Sequence, residues 1–126
     1  IDTSATIAIA LNEPEARSFR ERITGNPIRL ISAATVLGTA MAIETRLGGA
    51  AGADLDLLLH KADVEIVTVT SEHADQARRA WRRFGKGRHR AGLNFADCFS
   101  YALAKLSGEL LPFKSDDFSR TDIRAA

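Results

Sequence analysis

IRLISAATVLGTAMAIETRL, residues 28–47, joins a short apolar run to a long run of helix-forming residues. Residues 28–31 are typical of a buried β-strand. Ser32 can cap the following helix, because its side chain can accept a hydrogen bond from the first turn. Gly48 and Gly49 end that helix. The stretch therefore predicts a strand leading directly into a helix, which is the repeating unit of α/β folds.

The same alternation continues on both sides of this stretch. The further predicted helices cover residues 4–11, 14–24, 53–62, 71–84 and 94–107, and the further strands cover residues 1–2, 64–69 and 110–113. Short strands separated by helices favour a parallel sheet with helices on both faces. We therefore expect an α/β fold with about four or five mostly parallel strands, formed as one domain by residues 1–126.

The composition predicts a cytoplasmic protein without membrane association. Hydrophobic residues make up 45% of the chain, which is enough for a core without disulfides. Cys98 is the single cysteine, so no intramolecular disulfide can form, and this count suits a reducing compartment. No apolar run approaches the roughly 20 residues of a transmembrane helix. The first residues do not have the pattern of a secretory leader.

Positive charge is concentrated in one segment, although the net charge is only +1. No Asp or Glu occurs at residues 76–96, and this window attracts polyanions through its local field. The helical arginines there form either a solvated face or a substrate contact. The loop that leads towards Asp97 contains glycine and could position phosphates. The helical residues are Arg78, Arg79, Arg82 and Arg83, and the loop residues are Lys86, Arg88, His89 and Arg90.

Acidic residues occur where ligands bind in α/β folds, at the carboxyl ends of strands. Asp2 follows the first predicted strand, and Asp116 and Asp117 follow the last. Asp97 lies in the first turn of a helix, where the macrodipole favours an anion. Mg²⁺ prefers such oxygen ligands and can activate water and neutralise a scissile phosphate. Alternatively, Asp97 is a capping-box partner of Asn94, and the two late aspartates are turn formers.

Three motifs resemble the PIN-domain family and, within it, the VapC toxins. They are IDTSA at residues 1–5, GKGRH and AGLNFADCF at 85–99, and LPFKSDDF with TDI at 111–123. The likeness extends over essentially the full chain. It implies a PIN-like three-layer sandwich and a Mg²⁺- or Mn²⁺-dependent endoribonuclease that cleaves RNA. It also implies a homodimer that is inhibited by a VapB-type antitoxin, whose tail occupies the site.

Carried over residue by residue, the resemblance assigns the metal-binding and catalytic acids. These are Asp2, Asp97 and an acid of the final turn, for which Asp117 matches the Asp-Phe pair and Asp116 is the alternative. Ser4 would be a hydroxyl that supports these ligands. The expected cofactor is therefore a hard divalent cation, held by carboxylates that are distant in the chain.

The chain departs from the family pattern at one expected acid. The pattern Ser-Ala-Ala-x-x-Leu-Glu reads SAATVLG at residues 32–38, so Gly38 replaces the carboxylate. Glycine inside a helix costs about 0.5–1 kcal/mol relative to alanine, so it does not stabilise the helix. Glu44 lies on another part of the helix, where a surface role explains it better. The chain is therefore expected to be either a ribonuclease with reduced activity or a non-catalytic module that binds RNA and antitoxin.

Other activities find little support in the sequence. An aspartyl-phosphate enzyme built on Asp2 would need an acid where Ser4 stands. The spacing of the glycines does not match a nucleotide-binding loop, and the three histidines lack the spacing of a zinc hydrolase. Cys98 is predicted to be a buried apolar group rather than a nucleophile.

Two apolar helix faces are predicted to pack or to bind partners. Residues 71–84 place Trp81 and Phe84 on one face with Ala74 and Ala77, which predicts core packing or a dimer contact. The helix at 53–62 carries leucines that suit either core packing or antitoxin docking. These leucines are Leu55, Leu57, Leu58 and Leu59.

Overall fold

The computed structural model describes residues 1–113 and 118–125. Within them, helices alternate with two short strands, as the sequence predicts. The elements in chain order are α1 (Thr3–Ala10), α2 (Ala16–Thr24), β1 (Leu30–Ser32), α3 (Ala33–Leu47), α4 (Ala50–Lys61), β2 (Glu65–Val67), α5 (Ser71–Phe84) and α6 (Phe95–Ser107), followed by a short 3₁₀ helix (Phe118–Arg120). None of the described helices is both long and apolar enough to cross a membrane.

The helix boundaries follow from local capping. Ser32 accepts a hydrogen bond from the Ala34 N–H at 3.2 Å and begins α3, as predicted. Thr70 caps α5 through the N–H of His73, so the cap lies one residue before the predicted start. Gly108 ends α6 in the left-handed conformation at φ 75°, which glycine adopts without steric cost.

The sheet is parallel, but it is smaller than predicted. Strands β1 and β2 are the two named strands in the described part of the chain, and they pair in parallel. The expectation of about four or five strands was therefore wrong, whereas the parallel direction and the flanking helices are confirmed. Residues 1–2 and 110–113 instead contribute single contacts. Ile1 N donates to the Leu30 carbonyl at 2.7 Å, and Leu111 forms an isolated bridge with Ala125. These segments do not form the consecutive ladder bonds that define a strand.

Buried apolar residues of the described ranges form three clusters. The first lies between α1 and α2, the second between β1, α3 and α4, and the third between α5, α6 and the C-terminal segment. Ile31, Ile43 and Leu55 are at most 1% exposed in the second cluster, and burying each contributes about 1.5–3 kcal/mol. Helices α3 and α6 both contact β1, so the sheet joins the two helices.

The buried face of α5 differs from the predicted one. Trp81 is 45% exposed and Ala74 is also exposed, whereas Ala77 and Phe84 are buried as expected. Ala80 completes the buried face together with His73 at the edge of the core. Of the two alternatives predicted for Trp81, core packing was therefore wrong, because the buried stripe runs through Ala80 and leaves the indole facing outwards. The dimer contact stays a prediction.

Trp81 packs directly against the backbone of Gly85. A Cβ at residue 85 would overlap both the carbonyl oxygen and the indole Cδ1 of Trp81. We expect Gly85→Ala to lower the free energy of unfolding by about 1–3 kcal/mol in urea denaturation, because overpacking forces backbone or side chain to move. Gly49→Ala is the control, since a Cβ there meets nothing within 4 Å and its change is expected to stay within about 0.5 kcal/mol. Equal changes in both variants would contradict this packing argument.

Asp122 connects the C-terminal segment to α6. Its carboxylate accepts hydrogen bonds from the Tyr101 hydroxyl and the Lys105 ammonium, both at 2.8 Å. Burial raises the pKa of Asp122, but these hydrogen bonds and the charge of Lys105 outweigh it, so the pKa lies below its usual value. Asp122 therefore stays ionised at neutral pH and helps to fix the chain that follows the final turn.

Candidate active site

Asp2 is a buried carboxylate at the N-terminus of α1. It is 1% exposed, and its Oδ2 accepts hydrogen bonds from the backbone N–H of Ser4 at 2.9 Å and from the Ser4 hydroxyl at 2.7 Å. The Asp2 carbonyl accepts a further bond from the Thr6 hydroxyl at 3.0 Å. Its second carboxylate oxygen, Oδ1, has no hydrogen-bond partner among the described residues. A buried acceptor without a hydrogen bond destabilises the folded state, so this position favours a bound cation or a water molecule.

Asp97 is a second buried acid, at the third position of α6. It is 5% exposed, and its Oδ2 accepts a hydrogen bond from the Asn94 N–H at 2.9 Å. Asn94 Oδ1 accepts from the Asp97 N–H at the same distance, which completes a capping box. The capping box predicted as an alternative is thus present, and a metal-binding role of Asp97 stays a prediction. The box fixes the rotamer of Asp97 at the positive end of the helix, and this does not exclude a ligand role.

Gly38 adjoins the segments that carry both acids. A Cβ at residue 38 would lie 3.1 Å from the Cβ of Ala96 and 3.9 Å from Oγ1 of Thr3. Thr3 directly follows Asp2, and Ala96 directly precedes Asp97. Helix α3 therefore meets the starts of α1 and α6 at residue 38, where the resemblance to the family predicts a carboxylate.

Hydroxyl groups surround this junction, although none of the sequence motifs marks them. Thr3 Oγ1 and Thr39 Oγ1 are buried without hydrogen-bond partners among the described residues. Thr35 Oγ1 and Ser100 Oγ form a buried hydrogen bond at 3.0 Å between α3 and α6. The spacing of Thr35 and Thr39, one helical turn apart, is the signal that would have placed them on one face of α3.

The structure does not describe the last two predicted acids. Asp116 and Asp117 fall outside the described residues, so their assignment stays a prediction. Within residues 1–113 and 118–125, no three Asp, Glu, His or Cys side chains form a group that could hold a metal. Glu44 is exposed and its carboxylate lies against Gly52 of α4, which fits the surface role predicted for it.

The basic loop between α5 and α6 has a defined shape. Its ends are closed by hydrogen bonds from Lys86 N to the Leu93 carbonyl and from Leu93 N to the Phe84 carbonyl, both 2.9 Å. Lys86, Arg88 and Arg90 are exposed. The Arg88 guanidinium lies 4.5 Å from the centroid of the Trp81 ring, a cation–π distance. The loop therefore presents cations on an internally bonded support just before α6.

His89 is more constrained than its neighbours in the loop. Its Nδ1 accepts a hydrogen bond from the Ala91 N–H at 3.0 Å. Its ring packs edge-on against Phe84, with centroids 5.2 Å apart. His89 thus helps to shape the loop, and the contact with phosphate predicted for it would have to use the other ring nitrogen.

Cys98 has the properties of a core residue. It is 5% exposed, and burial together with the charge of Asp97 raises the pKa of its thiol to about 11. The thiol stays protonated at neutral pH, so it cannot act as a thiolate nucleophile. The prediction that Cys98 is a buried apolar group is confirmed.

The fold is that of a PIN domain, and comparison with known proteins agrees. Residues 1–124 match the PIN domain family, and the chain belongs to that family. It is 54% identical over 123 residues to ribonuclease VapC30 of Mycobacterium tuberculosis, covering 98% of this chain and 94% of the relative. It is 53% identical over 125 residues to ribonuclease VapC of Mycolicibacterium smegmatis, covering 99% and 97%. Within the PIN domains it is thus a member of the VapC group, as the motifs predicted.

The fold is also similar to a solved structure of a more distant relative. This is the crystal structure of Mycobacterium tuberculosis VapC20, a sarcin-ricin loop cleaving toxin, with a TM-score of 0.79 over 99% of this chain and 95% of that chain. The two sequences are 20% identical, so the likeness supports the fold alone.

Proposed function

We propose that this chain is the endoribonuclease toxin of a type II toxin–antitoxin system and that it requires Mg²⁺ or Mn²⁺. The observation that carries the metal requirement is the buried Asp2, whose Oδ1 lacks a hydrogen-bond partner in the described structure, beside the segment that bears Asp97. Two carboxylates together with water and substrate phosphate make a suitable ligand set for a hard divalent cation. The residues therefore fit such an ion.

Each residue of the site has a distinct task in this proposal. Asp2 and Asp97 hold the cation, with Asp117 or Asp116 as a third acid. The cation, when bound, lowers the pKa of a coordinated water and neutralises charge on the scissile phosphate. The Ser4 hydroxyl donates a hydrogen bond to Oδ2 of Asp2 and thereby orients that carboxylate. The capping box with Asn94 orients Asp97. The orienting bonds reduce the reorganisation needed at the moment of reaction.

A catalytically weakened RNA- and antitoxin-binding module is the second candidate, and Gly38 favours it. One carboxylate fewer lowers both the ligand count and the negative charge that attract the cation. Cleavage of labelled RNA in Mn²⁺, in Mg²⁺ and in EDTA distinguishes the two functions. We expect cleavage that depends on the cation, whereas RNA binding without cleavage in either metal would support the module.

The basic loop is proposed to bind substrate phosphates through Lys86, Arg88, His89 and Arg90. We expect Arg88→Gln combined with Arg90→Gln to flatten the dependence of log Kd on log salt concentration. The slope should fall by about 1.4, since each phosphate contact on a single strand contributes about 0.7. Filter binding of RNA at a series of salt concentrations in EDTA measures this slope. Arg17→Gln with Arg22→Gln on α2 is the control, and an equal change in that control would argue against the loop.

The VapB-type antitoxin is proposed to dock on a groove between α1, α2 and α4. This groove has a volume of about 230 Å³ and is lined by Ile9, Ile23 and Leu58, with Arg20 and Lys61 also among its lining residues. Apolar walls beside two cations suit an antitoxin segment with apolar anchors and acidic neighbours. Of the four leucines of α4, Leu55 and Leu59 are buried in the core.

The homodimer is proposed to form through α3. Leu37 and Met41 lie one turn apart and are 62% and 61% exposed, so they form an apolar stripe at the surface. Apolar stripes of this kind commonly mark protein–protein contacts. Sedimentation velocity of the isolated chain would report this assembly.

A further inference from the structure

An apolar hollow lies next to the basic loop, and no step of the proposed chemistry uses it. The hollow has a volume of about 500 Å³ and lies between α5, the basic loop and the start of α6. Trp81, Leu93, Phe95 and Phe99 line it. Phe95 is 79% exposed and Trp81 is 45% exposed, so neither ring serves mainly to fill the core. Two large aromatic side chains at a surface hollow indicate a ligand with apolar faces.

The rings of the hollow are held in place before any ligand binds. Phe95 packs edge-on against Phe99, with centroids 5.1 Å apart. Trp81 is fixed by the close approach of Gly85 and by the Arg88 guanidinium over one face of its ring. Preorganised aromatic groups lose little conformational freedom on binding, which favours stacking with a planar ligand.

The charge around the hollow is positive. Arg78 and Lys86 are among the lining residues, and none of the described lining residues is acidic. Arg88 adds a third cation next to Trp81. A planar group joined to phosphates matches this arrangement, since aromatic rings stack on bases while cations follow the backbone.

The hollow includes the first turn of α6, the helix that also carries Asp97. Phe95 is two residues before Asp97 and is the first residue of α6. We propose that the hollow binds an unpaired base of the RNA substrate beside the basic loop, whose Lys86 lines it. The base stacks on Phe95 beside Trp81, and Arg78 and Lys86 contact the flanking phosphates. This inference rests on the proposed ribonuclease function and predicts a preference for single-stranded or looped RNA over duplex.

A second copy of the chain fits this hollow less well. In a two-fold contact centred here, Arg78 and Lys86 of one copy would approach the same residues of the other. Like charges brought together at an interface are unfavourable, whereas RNA phosphates neutralise them. The charge therefore selects nucleic acid as the occupant.

The single tryptophan of the chain, Trp81, provides a direct signal for the test. Its fluorescence is titrated in EDTA with single-stranded oligo(U) and oligo(A) and with duplex RNA. We expect saturable quenching by the single strands and much weaker quenching by the duplex. Phe95→Ala should weaken binding of the single strands by about tenfold, because one stacked base is lost. Ile66→Ala is the control, since Ile66 is 51% exposed on β2 and does not line the hollow.

Three results would overturn the inference. They are an absence of quenching by RNA, an equal effect of the Phe95→Ala and Ile66→Ala substitutions, and a dimer seen in sedimentation velocity that becomes monomeric on Phe95→Ala. Because binding is measured in EDTA, its outcome is separate from that of the nuclease proposal. Metal-dependent cleavage without quenching would reject the base site alone, and quenching without cleavage in Mn²⁺ would reject the nuclease alone.

Discussion

Asp2→Asn is expected to reduce metal-stimulated RNA cleavage by about 100-fold or more, since it removes a negative charge from the proposed cation site. The substitution preserves the shape of the side chain and an oxygen that can accept from Ser4. Asparagine is also as good an N-cap as aspartate, so α1 should keep its start. Initial cleavage rates at saturating Mn²⁺, together with the melting temperature, would separate lost chemistry from lost folding.

Asp56→Asn is the matched control for this substitution. Asp56 is an exposed acid on α4, so its replacement makes the same change of charge without touching the site. We expect unchanged cleavage in that variant. Full activity of Asp2→Asn, or an equal loss in both variants, would refute the role of Asp2 as a ligand.

Gly38→Glu is expected to raise metal-dependent cleavage by about tenfold or more, because it returns a carboxylate to the junction of α1, α3 and α6. The same substitution should make the melting temperature depend more strongly on whether the cation is present. Without metal, a third carboxylate near Asp2 and Asp97 adds repulsion and lowers the melting temperature. With Mn²⁺ bound, the melting temperature should rise by more than it does in the unmodified chain.

Gly38→Ala separates the carboxylate from the added bulk. Both variants place a Cβ 3.1 Å from the Cβ of Ala96, so both require a shift of a few tenths of an ångström. Alanine also removes the helix penalty of glycine, which is up to about 1 kcal/mol. We expect no gain in cleavage from Gly38→Ala. A gain equal to that of Gly38→Glu would show that helix stability, rather than a missing ligand, limits the activity.

The helices could be predicted well because their boundaries depend on nearby residues. Ser32 and Gly108 act within one turn of the helix end that they define, so their effect is visible in the sequence. The number of strands could not be predicted in this way. Pairing depends on partners far along the chain, and Ile1 and Leu111 make single backbone contacts instead of continuous ladders.

The candidate site was only partly predictable. The family pattern indicates Asp2, Asp97 and the absent acid at Gly38, but it does not show that Ala96 and Thr3 adjoin residue 38. The exposed position of Trp81 also could not be predicted from the sequence. A helical pattern gives the period of the apolar face, whereas the choice between Ala80 and Trp81 for the core depends on tertiary packing.

The proposed active site binds one divalent cation between Asp2 and Asp97. Anomalous difference density from a crystal soaked in Mn²⁺ tests it most directly. We predict a peak within coordination distance of Asp2 Oδ1 and of the Asp97 carboxylate, next to residue 38. A fully soaked crystal with no peak there, or with its strongest peak on another surface, would contradict the claim.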